Sequence, residues 1–417
     1  MITELLVLAV TGFLIFWLTT RRPKNYPPGP TGWPIVRNLF QISRDIPQHR
    51  QFTELGKKYG DIVGLYFADR PVVVLNNYKH IKEAFAENVF SGRVISHLTL
   101  YRNLGGNRGL LLSEGRPWQE QRRFTLKTLR DFGFGKKSME ALIMEEVNEL
   151  INGFKKEVGK PIVTQNRFNI AVLNGLWLLL TGNKFSHDDP RLNFLVKSIT
   201  SIITRRPLSA LVAEFFPVVQ KVRHLFPGFF NTQGLQTHKA VQKLIRETID
   251  EHKATLQEDA PRDFIDAFLI ESNKTTDVNS SFYQEDGYLG LHIVLLDLFI
   301  AGAETTSTTL TWTFLTMALY PEKQEKLYEE IKGVVGLSRS VSLTDRAELP
   351  YLEACMMEML RFSAVVATGV FHRTHEEFKV TTYDGEPKPT FDSLASFVLF
   401  PKPHKVVLVD RNSTAQS

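Results

Sequence analysis

The sequence is nearly devoid of cysteine: its 417 residues contain one, Cys355. A single cysteine excludes a disulfide framework and a zinc site built from several cysteines. The excess of positive charge is also small: 50 Lys and Arg residues against 45 Asp and Glu residues give a net charge of +5. No basic run with interleaved aromatic residues occurs, so we expect no nucleic-acid partner. With 43% hydrophobic and 23% charged residues, the composition is that of a globular protein.

Charge is absent from a long apolar run near the N-terminus. Residues 5–18 carry none, and Arg21, Arg22 and Lys24 follow them. A membrane-spanning helix needs about 20 apolar residues, which residues 1–20 supply if Glu4 reaches the headgroups. Because basic residues favour the cytosolic side, we predict a transmembrane signal anchor over residues 1–20, with the remainder in the cytosol. Residues 21–30 form a basic, proline-rich linker, whose PPGP run is a stiff spacer.

The remainder, residues 31–417, reads as one mainly α domain with small β-sheets. The apolar periodicity predicts helices near residues 51–59, 140–158, 241–256, 262–269, 291–320, 321–334 and 349–361. Two short strands are predicted at 62–67 and 71–75, joined by a turn at 68–70, and a hairpin at 396–400 and 405–409. Residues 211–230 allow two interpretations: two short helices packed on the core, or a surface patch that dips into the membrane.

Within the apolar run 291–320 only Asp297 and Glu304 carry charge. A helix that is apolar nearly all round belongs in the centre of a large domain or in a membrane. Its middle, AGAETT at 301–306, is nevertheless polar. Glu304 and Thr305 could both face one cavity and relay protons if the helix widens locally. The alternative is a threonine run hydrogen-bonded to the helix carbonyls.

Two further spacings are weak when taken alone. Trp118 and Arg122 are four residues apart and share a helix face, where an indole and a guanidinium could bind one anionic group or simply stack. Glu358 and Arg361 are three residues apart, a spacing that occurs often without function.

The order of these motifs is more specific than any one of them. An apolar N-terminus, PPGP, WxxxR, AGxETT and ExxR follow one another across the chain. This pattern resembles the microsomal cytochrome P450 family, in particular its second clan of animal enzymes. The stretches GLLLSEGRPWQEQRRFTLKTLRDFGFGKKS, RDFIDAFL and LPYLEACMMEMLR support the resemblance. It implies the cytochrome P450 fold: a large, mainly helical domain with small sheets that holds haem b between two long helices.

The resemblance implies a role for particular residues. The residues expected to contact haem are Trp118, Arg122, Arg108, His372, Ala301 and Gly302. The residues expected to contact substrate are Phe299, Val365, Val366 and Phe397. Glu304 and Thr305 are expected to form the acid–alcohol pair that delivers protons. Glu358 and Arg361 are expected to form a buried structural ion pair beneath the haem.

The chain departs from the family in one respect. The family's haem iron is bound by a cysteine thiolate in a Phe-x-x-Gly-x-Arg-x-Cys-x-Gly loop downstream of ExxR, and this loop is missing. Cys355 precedes Glu358 within the ExxR helix and is expected to be a small buried hydrophobe, so no metal ligand remains. The segments on either side of residues 376–379 both resemble the family. We therefore predict an internal deletion there, which leaves the fold incomplete on the proximal side of the haem.

The resemblance also implies a function and its partners. The expected activity is that of a haem-dependent monooxygenase, which oxidises small apolar organic substrates with dioxygen. Its electrons come from NADPH through a flavoprotein reductase, and its location is the endoplasmic reticulum membrane. A run of basic residues could dock the acidic reductase or could be an ordinary solvated face: Arg122, Arg123, Lys127, Arg130, Lys136 and Lys137. The alternative is a catalytically inactive, membrane-bound and haem-free variant.

Overall fold

The computed structural model of the chain describes residues 21–374 except 24, 44–45, 186–188, 191–193, 199, 201–211 and most positions from 213 to 232. Before residue 21 it describes scattered positions, and after 374 it describes 380–381, 387–388 and 405–407. Most of the predicted anchor, the predicted junction at 376–379 and Phe397 therefore lie outside the described residues.

The described chain is mainly helical, as the periodicity predicts. Its helices are α1 (Gln48–Tyr59), α2 (Tyr78–Ala86), α3 (His97–Arg102), α4 (Gly115–Asp131), α5 (Lys137–Lys155), α6 (Asn169–Thr181), α7 (Gln233–Ala254), α8 (Phe264–Lys274), α9 (Gln284–Leu319), α10 (Pro321–Val335) and α11 (Pro350–Ser363). Short 3₁₀ helices occupy Asn88–Ser91 and Leu343–Glu348.

Local signals set several helix ends. The Asp263 side chain accepts a hydrogen bond from the backbone N–H of Asp266 at 3.0 Å and caps α8. Both α10 and α11 begin with proline, whose missing N–H costs nothing in the first turn. Gly182 ends α6 with φ of 67°, a conformation that favours glycine.

The longest helix, α9, runs through the centre of the domain. Its 36 residues are apolar enough to cross a membrane. However, most of its apolar surface is buried by α6, α7 and α8, so it is a core helix. Phe264, Phe268 and Phe299 are fully buried in the large cluster around it.

The described sheets are two-stranded and antiparallel. β1 (Ile62–Phe67) pairs with β2 (Arg70–Leu75), with Ile62 opposite Leu75. Of the predicted turn 68–70, Arg70 belongs to β2, and Ala68 takes a positive φ of 55°.

The other strands join distant parts of the chain. β3 (Gly92–Arg93) pairs with β5 (His372–Arg373), and β6 (Val380–Thr381) with β7 (Pro387–Lys388). β4 (Pro161–Val163) pairs with β8 (Lys405–Val407). The described partner of the strand at 405 is thus β4, and the other half of the predicted hairpin, 396–400, lies outside the described residues.

The proline-rich linker is docked on β1 and does not stand clear of the domain. The Tyr26 hydroxyl lies 2.7 Å from the Leu65 carbonyl and 2.9 Å from the Val72 carbonyl. Arg22 donates to the carbonyls of Pro27 and Gly64, both at 3.1 Å. These hydrogen bonds fix the direction of the linker relative to β1.

Most of the segment 211–230 lies outside the described residues. Where it is described, Phe215 is buried edge-on against Phe67, and Glu214 is buried and pairs with Arg70 at 3.3 Å. These contacts favour packing on the core at that end of the segment. Leu225, farther along, is exposed.

Candidate functional site

The middle of α9 is a regular α-helix, so the expected local widening is wrong. Consecutive side chains on a regular helix point about 100° apart. Glu304 consequently points into the protein and is 1% exposed. Thr305 is only partly buried and lies on the side of Ala301, which is exposed.

The Glu304 carboxylate accepts hydrogen bonds from two other elements. Asn169 of α6 donates its side-chain amide to Oε1 at 3.1 Å, and the Thr200 hydroxyl donates to the same oxygen. Burial raises the pKa of Glu304, and both hydrogen bonds oppose that shift. The group therefore holds a proton more readily than an exposed glutamate.

The Thr305 hydroxyl is back-bonded along the helix. It donates to the Ala301 carbonyl at 2.7 Å, and the hydroxyls of Thr309 and Thr313 bond in the same way, each to the carbonyl four residues earlier. This is the alternative that the threonine run allowed. The predicted Glu304–Thr305 pair is not formed, and the alcohol on Glu304 is Thr200, which no local motif marks.

Gly302 and Phe299 face α6. A Cβ at Gly302 would lie 2.6 Å from Cδ2 of Leu176, so this glycine allows close helix packing. Phe299 is fully buried and stacks on Trp177 with ring centroids 4.7 Å apart. Both residues therefore pack against α6, and their predicted contacts with haem and substrate stay predictions.

Trp118 and Arg122 share one face of α4, as their spacing predicts. The guanidinium carbon lies 5.3 Å from the indole centroid, within the range of a cation–π contact. Arg122 is exposed, so its donors can reach an anionic group.

The other two predicted propionate ligands are engaged elsewhere. Arg108 donates from Nε to Asp286 at 3.1 Å and from a terminal nitrogen to the Leu104 carbonyl at 2.8 Å. Nδ1 of His372 lies 2.6 Å from the Phe90 carbonyl oxygen. Burial and the neighbouring Arg93 lower the pKa of His372. Arg93 is thus a further cation beside His372. It lies there because β3 pairs with β5, which sets Arg93 opposite His372.

Asp297 is a buried acid that organises the loop after α3. It accepts hydrogen bonds from the backbone N–H groups of Leu110 and Leu111, at 2.6 and 2.8 Å, and pairs with Arg102. The sequence signal that could have predicted these partners of Asp297 is its isolated carboxylate within an apolar run. Such an acid requires internal partners.

Glu358 and Arg361 form the predicted ion pair, but not a buried one. Two hydrogen bonds join them, at 2.6 and 2.7 Å, and their side chains are 53% and 71% exposed. Within the part of the chain that the structure describes, this end of α11 is left exposed. Beyond α11, Val365 is buried and Val366 is partly buried.

A buried cluster of potential metal ligands lies between α7 and α8. His252 Nε2 is 2.9 Å from Asp263 Oδ2, and Asp266 receives two hydrogen bonds from Arg262, at 2.6 and 2.8 Å. Asp263 also caps α8. These acids are satisfied by protein groups, so the cluster is structural.

Comparison with known proteins places these features in a family. The family profile described as Cytochrome P450 matches residues 27–386. The chain is 37% identical to Cytochrome P450 2J3 of Rattus norvegicus over 91% of its own length and 74% of that protein. It is 34% identical both to farnesoate epoxidase of Bombyx mori and to Cytochrome P450 2C8 of Homo sapiens, over 96% of this chain and 81% of each relative.

The chain therefore belongs to the cytochrome P450 family, and its relatives are of the clan 2 type. By family it is an oxidoreductase of the monooxygenase class, and the family cofactor is haem.

The described residues fit only one side of a haem site. The α9 side offers the exposed Ala301, and α4 offers the exposed Arg122. The chain's single cysteine, Cys355, is partly buried within α11 and hydrogen-bonded with Tyr351. Because the chain's one thiol lies within a helix and is hydrogen-bonded there, the residues present do not fit a haem held by a cysteine thiolate.

Proposed function

We propose that this protein is a microsomal monooxygenase that oxidises small apolar organic substrates with dioxygen. Its electrons come from NADPH through a flavoprotein reductase. Residues 1–20 anchor it in the endoplasmic reticulum membrane, and the domain from residue 31 faces the cytosol. The observation that carries the proposal is the buried, hydrogen-bonded Glu304 beside the exposed Ala301 on a helix that matches the family in sequence.

Two sets of residues support this function. Trp118 and Arg122 bind a haem propionate, since their indole and guanidinium lie on one accessible face of α4. Glu304 supplies protons, because burial raises its pKa and Thr200 and Asn169 hold it in place. Thr305 contributes its methyl group at the partly exposed side of α9, since its hydroxyl is bonded to the Ala301 carbonyl.

The basic residues of α4 are the proposed docking surface for the acidic reductase. Arg122, Arg123, Lys127 and Arg130 are exposed along this helix. Lys136 is exposed just beyond it, and the Lys137 side chain lies outside the described residues. Complementary charge steers such encounters and raises association rates, so association should weaken with added salt.

We further propose that the 417-residue chain lacks an internal block near residues 376–379. Relatives such as farnesoate epoxidase match 96% of this chain, while the chain covers only 81% of them. The block would carry the cysteine loop and the cover of α11. Exon skipping or an incorrect gene assembly would each produce such a chain.

The second candidate function follows from this proposal: the chain as written is a membrane-bound, haem-free and catalytically inactive form. The exposed Glu358–Arg361 pair favours it, because an ion pair meant to lie beneath a cofactor is uncovered.

A carbon monoxide difference spectrum of the reduced protein decides between the two forms. We expect no Soret band of a thiolate-ligated haem from the 417-residue chain expressed with excess haem. A matched chain that carries the family's cysteine loop between residues 376 and 379 should show the band and consume NADPH with reductase. A thiolate band from the chain as written would refute the inactive form. No band from either chain would refute the monooxygenase.

A further inference from the structure

Three side chains between α7 and α9 have buried nitrogen atoms that lack a hydrogen-bond partner among the described residues. His292 of α9 is 0% exposed, and this holds for both of its ring nitrogens. On α7 it holds for the amide nitrogen of Gln242 and for Nε2 of His238. Buried polar atoms nearly always bond to protein or to a bound molecule. His292, Gln242 and His238 are called the α7–α9 polar site below.

Helices α7 and α9 run antiparallel here, which brings the three residues together. The Tyr288 hydroxyl of α9 donates to Asp250 of α7 at 2.8 Å. One turn further along α9, His292 lies close enough to Arg246 and His238 for their positive charges to lower its pKa. Later positions on α9 are thus matched by earlier positions on α7.

The polar site offers both donors and acceptors of hydrogen bonds. His238, Gln242 and Arg246 recur at every fourth position of α7 and share one face, so Gln242 lies on the face that meets His292. Burial lowers the pKa of both His238 and His292 to about 4, so both rings are neutral at neutral pH. A neutral imidazole has one N–H donor and one bare nitrogen that accepts, and the Gln242 amide adds further N–H donors.

The polar site is on the other side of α9 from the surface proposed to face haem. His292 and Ala301 are nine residues apart, or about two and a half helical turns, so their side chains point in opposite directions. His292 is buried, whereas Ala301 is exposed. A molecule bound at the polar site would therefore be a second ligand, separate from the family cofactor.

The polar site extends to the surface beside α3. The Tyr101 ring of α3 lies 5.8 Å from the His238 ring, centroid to centroid, and is 38% exposed. His238 is partly buried and His292 fully buried, so burial increases from Tyr101 inward. Ile245 of α7 and Leu295 of α9 belong to the buried apolar cluster around these helices. This arrangement suits a molecule with an apolar ring at Tyr101 and a polar end at His292.

The chemistry of the unpaired nitrogens selects the polar end. A hydroxyl group both donates and accepts, so it can bond to the bare nitrogen of one neutral ring and to an N–H of another group. A carboxylate only accepts and would leave the bare nitrogen of His292 without a donor. An ammonium group only donates and would leave the N–H groups without an acceptor.

We propose that the α7–α9 polar site binds a small neutral aromatic alcohol, with its hydroxyl between His292 and Gln242 and its ring against Tyr101. The site is built from α3, α7 and α9 alone. Binding therefore does not require haem or the proposed monooxygenase activity.

Equilibrium dialysis of radiolabelled benzyl alcohol against the full-length chain in a nonionic detergent tests the proposal. We expect saturable binding of one molecule per chain above the uptake of detergent alone. His292→Leu should weaken the binding at least about tenfold, because two hydrogen bonds are lost. The matched control is His49→Leu in α1, which also removes a histidine with an unpaired buried nitrogen and should bind like the native chain.

A conservative variant and two related molecules separate recognition of the hydroxyl from a structural role of His292. His292→Gln keeps a donor and an acceptor and should bind more tightly than His292→Leu. Benzyl methyl ether, which cannot donate, and benzoate, which only accepts, should both compete poorly with benzyl alcohol.

Three results would each overturn the proposal: no saturable binding, which would mean that water alone fills the site; equal binding by the native chain and His292→Leu; or equal competition by benzoate and benzyl alcohol. The carbon monoxide spectrum is independent of all three, so a failure here leaves the proposed function untouched.

Discussion

Helices α9 and α11 carry comparable polar residues in opposite environments. Asp297 and Glu304 of α9 are buried, and each receives hydrogen bonds from other elements. Glu358 and Arg361 of α11 are exposed, and their hydrogen bonds among the described residues are to each other. An ion pair in water contributes little, whereas a buried carboxylate requires its partners. Among the described residues, the polar groups of α9 are therefore enclosed by protein, whereas those at the end of α11 are exposed.

The largest expected difference between the two helices concerns their acids. Asp297→Ala leaves Arg102 without its ion-pair partner and two backbone N–H groups without their acceptor. We therefore expect a loss of about 3 to 5 kcal/mol in the free energy of unfolding. Glu358→Ala, the matched change on α11, should cost less than about 1 kcal/mol. Urea unfolding followed by circular dichroism measures both. Equal losses would mean that α11 is as well supported as α9.

A pair of phenylalanines tests packing in the same way. Phe299 of α9 is fully buried on Trp177, whereas Phe362 of α11 is 56% exposed with one edge contact to Trp312. Phe299→Ala should cost about 3 to 5 kcal/mol, and Phe362→Ala about 0.5 to 1.5 kcal/mol, the value of one aromatic contact. The comparison fails if the two variants unfold at the same urea concentration.

Acid should destabilise the surroundings of α9 through His292. Burial lowers the pKa of His292 to about 4, and Arg246 and His238 add to this shift while Asp250 opposes it. A lowered histidine pKa means that the folded state prefers the neutral ring. Its contribution to stability is complete above the unfolded pKa near 6.5 and is lost as the pH falls from there to about 4.

A fall in the His292 pKa from 6.5 to about 4 corresponds to about 3 kcal/mol in the free energy of unfolding. Unfolding free energies measured between pH 7.5 and 4 should fall steeply in the native chain and less steeply in His292→Leu. His252 acts in the opposite sense: its burial lowers the pKa, but hydrogen bonds to Asp263 and Thr248 outweigh that effect and raise it. A slope unchanged by His292→Leu would refute the assignment.

The smallest effect is expected at glycine. Gly302→Ala places a Cβ against the flexible end of Leu176, so we expect a loss of about 1 kcal/mol as that side chain shifts. Gly333→Ala in α10 meets open space and should gain about 0.5 to 1 kcal/mol from helix propensity. Thermal unfolding of the two variants should move in opposite directions.

Much of the fold could be predicted from the sequence because its signals are local. The apolar period placed α9 and α11, and proline marked the starts of α10 and α11. The spacing of Trp118 and Arg122 placed both on one face of α4, which the structure confirms. The order of the motifs along the chain was enough to identify the family, and the comparison with known proteins confirms it.

Partners from distant segments could not be predicted. Thr200 reaches Glu304 across 104 positions, and Arg102 reaches Asp297 across 195. The predicted Glu304–Thr305 pair failed because a regular helix directs neighbouring side chains apart. The predicted burial of Glu358 and Arg361 failed because burial depends on what packs against a helix, and no periodicity encodes that.

The sequence by itself determined the helical class, the family and the identity of the groups that could do chemistry, since these depend on residue type and local spacing. Only the tertiary structure decided which of those groups are buried, paired or open. Burial and pairing are properties of surfaces that meet, and the surfaces of α9 and α11 meet different amounts of protein. The same kinds of residue therefore form a supported core on one helix and a free face on the other.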